Sequence, residues 1–262
     1  MRFATTLTAS LTAAFTAFVA TAATAQQDLP VIGRPVDKAM GFQPAATELA
    51  HDLHALDTFI LYIITAITLF VTGLILWVII RHNRRANPVP SKFTHNSTLE
   101  IAWTLLPILV LIVIGTFSLP VLFKQQEIPT ADITIKATGK QWYWTYEYPD
   151  HEFEFDSYMI GAPATGGDYR LNEEIEAQLV SWTIPAFGVK QDGVPGRLAQ
   201  LWFKAEKEGV YFGQCSELCG IAHSYMPITV KVVSEAAYQE WLQGAIEEYA
   251  GKPLSLTVAQ AN

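Results

Sequence analysis

Both cysteines of the 262-residue chain fall in one stretch, Gly213 to Ile228, which reads Gly-Gln-Cys-Ser-Glu-Leu-Cys-Gly-Ile-Ala-His-Ser-Tyr-Met-Pro-Ile. Cys215, Cys219, His223 and Met226 place two thiols, an imidazole and a thioether within twelve residues. Soft sulfur donors with an imidazole suit copper better than magnesium, calcium or manganese. A C-x3-C spacing can come from one tight loop, and a histidine and a methionine three residues apart can reach the same site. Each residue alone has a plainer explanation. Two cysteines in an exported domain can form a disulfide staple, and a lone methionine is usually core filler. A staple, however, needs neither His223 nor Met226 at fixed offsets, so the set together favours a metal centre.

The elements that must carry this loop follow from composition. The formal net charge of −8 argues against nucleic acid as a default partner. The 50% hydrophobic content concentrates in three N-terminal segments. Residues 1–25 end in Ala23-Thr24-Ala25 and read as a secretory signal peptide. Residues 26–57 are polar, with scattered proline and glycine, and read as an irregular tail with a short helical approach. Residues 58–80 and 101–123 are uncharged apolar runs, each long enough to cross a bilayer. Pro107 and Pro120 lie in the second and are expected to kink or end it. Arg81, Arg84, Arg85 and Lys92 mark the 81–100 loop as cytoplasmic, which puts the tail and the C-terminal part outside. Glu100, at the edge of the second run, suits a helix N-terminus.

From residue 124 the pattern changes to short strands: 132–136, 141–148, 153–158, 199–204, 209–214 and 228–233. A helix follows, capped by Ser234, and residues 251–262 form a tail. The aromatic run Trp142-Tyr-Trp144 reads as a core strand or a belt at the membrane surface. Acidic residues outnumber basic ones by roughly two to one in this part. That excess serves solubility, or a docking field for a basic partner.

The run Cys215-Ser-Glu-Leu-Cys219-Gly-Ile-Ala-His223-Ser-Tyr-Met226 resembles the binuclear copper (CuA) loop of the cytochrome c oxidase subunit II family. The resemblance implies that Cys215 and Cys219 bridge two coppers. It makes His223 and Met226 each complete one copper, and Glu217 a ligand through its carbonyl. The Glu217 side chain would also reach a magnesium ion at the boundary with subunit I. Nitrous oxide reductase carries a similar loop, but only the oxidase subunit needs a transmembrane hairpin. The stretch Gly139-Lys-Gln-Trp-Tyr-Trp-Thr-Tyr-Glu-Tyr148 is similar to the same family and makes Trp142 the point where electrons enter. By position in matching motifs, Glu147, Asp156 and Asp192 are expected to dock cytochrome c, and Glu100 to mark the mouth of a proton channel into subunit I.

The implied architecture is an α+β membrane protein: a two-helix hairpin, a cupredoxin-like Greek-key β-barrel over 124–250 and a C-terminal helix. The implied setting is the inner membrane of a bacterium, with the barrel in the periplasm. Subunits I and III are the implied partners, with haem only in the partner subunit. Electrons would pass from cytochrome c to the copper pair and on to that haem, for oxygen reduction coupled to proton translocation. A copper-free quinol-oxidase-type subunit and a membrane-tethered copper-binding module are the alternatives.

The resemblance breaks at one place. The family's second copper histidine stands just before a Ser/Ala-Trp-x-x-Pro stretch. Here that stretch is Ser181-Trp-Thr-Ile-Pro185, and the residue before it is Val180. No histidine lies between His151 and His223, and His151 sits in an acidic hairpin that makes it a poor substitute. The family also carries a few dozen further residues here, enough for roughly two strands. An internal deletion is expected, with a barrel left incomplete and copper poorly held.

Overall fold

The computed structural model describes residues 29–89, 91–160, 168–169 and 180–250. The expected signal peptide, the C-terminal tail and most of the stretch leading into Val180 lie outside the described residues.

Two long helices, α1 (Glu48–Arg81) and α2 (Ser97–Gln126), form the hairpin. Both extend beyond the apolar runs at each end. At 1.5 Å per residue, α1 is about 50 Å long, well over the hydrocarbon thickness of a bilayer. Nothing buries the most apolar window of either helix, so their outward Leu, Ile and Phe side chains need lipid or other protein. Phe59 and Phe117 meet across the pair with ring centroids 4.9 Å apart. Pro107 and Pro120 do not end α2, which runs on through both. Asn96 caps α2 by accepting from Leu99 N, while Asn96 N donates to the Glu100 carboxylate at 3.4 Å.

The extramembrane part contains β2 (Lys136–Lys140), β3 (Tyr143–Tyr148), β4 (Phe153–Ser157), β5 (Met159–Ile160), β6 (Asp168–Tyr169), β7 (Val180–Ile184), β8 (Val189–Gly193), β9 (Gly209–Gln214), β10 (Pro227–Val232) and the helix α3 (Glu235–Tyr249). The segment before α1 adds β1 (Val31–Gly33), which pairs parallel to β9. The expected irregular tail therefore contributes a strand. Gly33 is needed there, because a Cβ would stand 2.8 Å from the Tyr211 ring.

Among the described residues the strands form four small sheets: β1-β9-β10, β2-β3-β4, β5-β6 and β7-β8. The barrel is not closed. Sheet edges pack without a continuous ladder; Gly213 of β9 faces the Thr183 carbonyl of β7 with no room for a side chain. The expected strand at 132–136 does not form, and the ladder begins only at Lys136. Ile133 and Ile135 remain 46% exposed, so their alternation has no sheet to cover. The run 199–204 has no ladder partner among the described residues. Its side chains pack instead: Phe203 stacks on Phe187 at 4.6 Å and Trp202 Nε1 donates to Lys124 O.

One main core holds Trp144, Val180, Ile184, Phe187, Tyr211, Met226 and both cysteines. A smaller one seats α3 on β4 through Phe153, Leu242 and Ala245. Ser234 caps α3 by accepting from Ala237 N.

The hairpin is fastened to this core at its outer end. Thr47 is buried; its Oγ1 accepts from Ala50 N as the α1 cap and donates to Phe187 O at 2.7 Å. Ala46 N donates to Ala186 O and its carbonyl accepts from Glu206 N. Gly188, at φ +67°, lies so close to Ala50 that a Cβ would stand 2.7 Å from its Cα. Lys124 of α2 pairs with Glu48 and Asp52 of α1. Loss of a hydrogen-bonding cap costs about 0.5–2 kcal/mol. Thr47→Ala is therefore expected to lower thermal stability of the detergent-solubilised chain by that amount, and Thr47→Ser to stay near the parent. Equal stability of the two variants would contradict this junction.

Candidate metal centre

The ladder between β9 and β10 sets the loop. Gln214 pairs with Pro227, and the next rung is closed by Cys215 N donating to Met226 O at 3.3 Å. The first cysteine and the methionine are thus held opposite each other at the mouth of a hairpin. Within the loop, Gly220 turns the chain at φ +122°, and a 3-10 turn, His223–Tyr225, returns it to β10.

Three further hydrogen bonds tie the loop to its neighbours. Trp142 Nε1 donates to Cys219 O at 3.2 Å and Trp144 Nε1 to Met226 O at 3.3 Å. Ser216 N donates to Ser181 O at 3.1 Å. Trp144 and Ser181 were not among the site residues expected from sequence. The aromatic density of β3 was the available signal for Trp144, but that signal does not distinguish core packing from loop support.

The donor atoms converge. Cys215 Sγ and Cys219 Sγ are 3.8 Å apart, far beyond a bonded pair at about 2.05 Å, so the disulfide alternative is not what the chain forms. Cys219 Sγ lies 3.5 Å from His223 Nδ1 and 3.4 Å from Met226 Sδ. Cys215 Sγ lies 3.3 Å from the Glu217 carbonyl oxygen. The ligand atoms of Cys215, Cys219 and His223 all fall within 4.8 Å of one another. Both thiols and Met226 are buried while His223 is half-exposed, so the cluster reaches from the core to the surface. Burial first, and then the neighbouring Cys215, pushes the Cys219 thiol up to about 12. A bound cation would reverse that preference by displacing the proton.

These residues fit a soft metal such as copper. They do not supply the upstream nitrogen that the family resemblance calls for. Val180 is buried at the start of β7, and its methyls fill the space above Gly139 and Gly193. His151 stacks beside Phe153 at the far end of β3, away from the loop.

The remaining expected residues separate. Asp192 sits opposite Ser181 in the β7-β8 ladder, beside the loop. Lys190, 2.7 Å away, and Ser181 hold its carboxyl below the usual range. Glu147 pairs with Lys136 across β2-β3 at 2.6 Å, and Asp156 accepts from Thr145 Oγ1 at 2.6 Å. Glu100 is at the opposite end of α2 from the centre.

Comparison with known proteins decides between the oxidase and reductase readings. The family described as "Cytochrome C oxidase subunit II, transmembrane domain" matches residues 35–121. The matching periplasmic-domain family covers residues 133–180 and 169–233. The chain belongs to the cytochrome c oxidase subunit II family. It is a membrane-anchored subunit with a periplasmic domain, and the assembly to which such subunits belong is an oxidoreductase. Cytochrome c oxidase subunit 2 of Cereibacter sphaeroides is 57% identical over 282 residues, covering 94% of this chain and 93% of that one. The probable subunit 2 of Rickettsia bellii is 44% identical, covering 79% and 84%. The crystal structure of the periplasmic domain of subunit II from Bradyrhizobium japonicum is 43% identical. It covers 47% of this chain and 99% of that one at a TM-score of 0.40.

Two details concern the stretch before Ser181. The periplasmic family matches in two pieces that overlap over residues 169–180. The alignment to the Cereibacter subunit, at 282 residues, is longer than this whole 262-residue chain, so that relative carries residues with no counterpart here.

Gly220 supplies the test of the loop geometry. Its positive φ disfavours any side chain, and a Cβ would stand 3.1 Å from the Trp142 ring. Gly220→Ala is expected to cost about 1–3 kcal/mol, read as a lowered midpoint in denaturant unfolding. A midpoint unchanged from the parent would contradict the loop conformation.

Proposed function

We propose that this subunit receives electrons from a soluble cytochrome c at the Cys215–Met226 loop and delivers them to haem in subunit I. The observation that carries the reading is the convergence of Cys215, Cys219, His223, Met226 and the Glu217 carbonyl at one point fixed between β9 and β10. Copper bound there supplies a one-electron carrier. The chain's own contribution is to hold the donors rigid, so that little rearranges when the charge changes. Two indoles and a strand ladder do this, and burial of both sulfurs keeps water away.

Trp142 is the proposed point where electrons enter. Its indole N–H is bonded to the carbonyl of Cys219, which links the ring directly to the loop. Leu218 and Ile221 are 77% and 91% exposed on the same loop and offer an apolar contact. Glu147, Asp156 and Asp192 provide the proposed negative rim for a basic cytochrome c, raising association rate more than affinity. Glu147 and Asp192 are each paired with a lysine, which fixes their position.

The Glu217 side chain is the proposed magnesium ligand at the boundary with subunit I. Glu100 is the proposed mouth of a proton channel; as a half-exposed carboxylate in the first turn of α2, it is able to exchange protons with water. The arginine-bearing loop between the helices is proposed to lie in the cytoplasm, and subunit III is a proposed further partner. A copper-free quinol-oxidase-type subunit has no use for the four converging side chains.

The shortened segment before Val180 is proposed to be an internal deletion. The length of the Cereibacter alignment, the split family match and the open barrel support it. Resequencing across codons 165 to 185 tests this point. An unchanged sequence, short before Val180, is expected, and a longer insert ending in a histidine would contradict it.

The functional reading is tested by purifying the assembly from native membranes through this subunit. Haem-bearing subunit I should accompany it, and the preparation should oxidise cytochrome c at a rate falling several-fold as salt rises to about 0.15 M. Absence of haem would overturn the subunit assignment. Salt-independent oxidation would overturn the docking role of Glu147, Asp156 and Asp192.

A further inference from the structure

The two thiols, 3.8 Å apart, suit one ion held between them or a pair that they bridge, so the terminal donors decide between one ion and two. Cys219 Sγ is in contact with all three other side-chain donors: Cys215 Sγ at 3.8 Å, His223 Nδ1 at 3.5 Å and Met226 Sδ at 3.4 Å. The other neighbour of Cys215 Sγ is a carbonyl oxygen. A four-coordinate ion has bonds of about 2.3 Å to sulfur and about 2.0–2.1 Å to nitrogen. Tetrahedral angles then place two sulfur ligands about 3.8 Å apart, and a sulfur and a nitrogen about 3.5 Å apart. The Cys215–Cys219 and Cys219–His223 separations equal these values. The Cys219–Met226 separation is within a few tenths of an ångström.

A second ion would share the two thiolates and, beyond the Glu217 carbonyl, would need a terminal nitrogen of its own. The position before Ser181 offers only the methyls of Val180, buried against Gly139 and Gly193. Among the described residues, no other histidine, cysteine or carboxylate joins the cluster. Among the described residues, β7 and β8 form a sheet of two strands, and the Gly139 and Gly213 backbones that pack on β7 bring no side chain to the loop.

We propose that this chain, with valine at position 180, holds a single monovalent copper ion in a four-coordinate site made by Cys215, Cys219, His223 and Met226. Two thiolates suit cuprous copper and zinc alike; the Met226 thioether, which is not among zinc's usual donors, favours the copper. Met226 is anchored by the Trp144 bond to its carbonyl and His223 by the 3-10 turn, so both terminal donors are already in place. This inference rests on the reading of the loop as a copper site and restricts that site to one ion.

The test uses the full chain in detergent. It is reduced, loaded anaerobically with excess cuprous ion and desalted, then measured for copper per chain and by copper X-ray absorption. One copper per chain, with sulfur and nitrogen neighbours and no copper–copper scattering, is expected. Two coppers with short copper–copper scattering, or the mixed-valence EPR signal after mild oxidation, would overturn the single-ion inference while leaving the copper reading intact. No retained copper would overturn the copper reading itself. In a folded Cys219→Ser chain, retention is expected to fall at least tenfold, since that sulfur contacts every other donor. Retention of a full equivalent by that variant would also overturn the proposal.

Discussion

The site depends on one rung of hydrogen bonding, the contact of Cys215 N with Met226 O that extends the β9-β10 ladder by a residue. It fixes the first and last donors of a twelve-residue loop at a common point. Without it, the loop would have to gather sulfur and imidazole donors from a flexible chain. The entropy of ordering each residue, about 1–2 kcal/mol for backbone alone, would then oppose metal binding. With it, the remaining order comes from contacts already made: Trp142 on the Cys219 carbonyl, Trp144 on the Met226 carbonyl, and Ser181 on Ser216. Each satisfies a backbone group in a partly or fully buried place, which gives the arrangement its uniqueness as well as its stability.

The same core links the loop to the membrane. Phe187 stacks on Phe203 at 4.6 Å and meets Tyr211 at a tilt at 4.7 Å, and its carbonyl receives the Thr47 hydroxyl. Thr47 caps the first hairpin helix, and Gly188 lets that helix approach closely. Tyr211 lies in β9, four residues before Cys215. A short series of packed side chains therefore joins the outer end of α1 to the strand that presents the first thiol. The domain is held in a defined position over the bilayer, as a subunit passing electrons to a membrane-embedded partner requires.

The chemistry of the loop was legible because its four donor side chains are unusual residues at fixed short spacings, and the hairpin because twenty uncharged residues in a row have few other uses. The strands β9 and β10 were legible from turn residues on either side. Other elements were not. β1 is three residues long and pairs parallel to a strand far along the chain, which no local pattern records. The alternation at Ile133 and Ile135 resembles a strand, yet no sheet lies beneath it. The β7-β8 hairpin was missed, although Pro185 and Gly188 between two short runs mark its turn. Its partner on one side is the Gly139 region of β2, where the absence of a side chain makes room for Val180. Such steric fit is a property of the assembled domain. The ion pairs that fix Glu147 and Asp192 likewise depend on cross-strand and same-face neighbours rather than on composition.

The central claim is that Cys215, Cys219, His223 and Met226 form a metal centre in a preformed loop. A copper-edge anomalous difference map from crystals of the assembly containing this subunit tests it most directly. The account predicts an anomalous peak enclosed by the two Sγ atoms, His223 Nδ1 and Met226 Sδ, at bonding distance of about 2.0–2.3 Å from the nitrogen and thiolate donors. No peak at the loop, with Cys215 and Cys219 joined at about 2.05 Å, would contradict it.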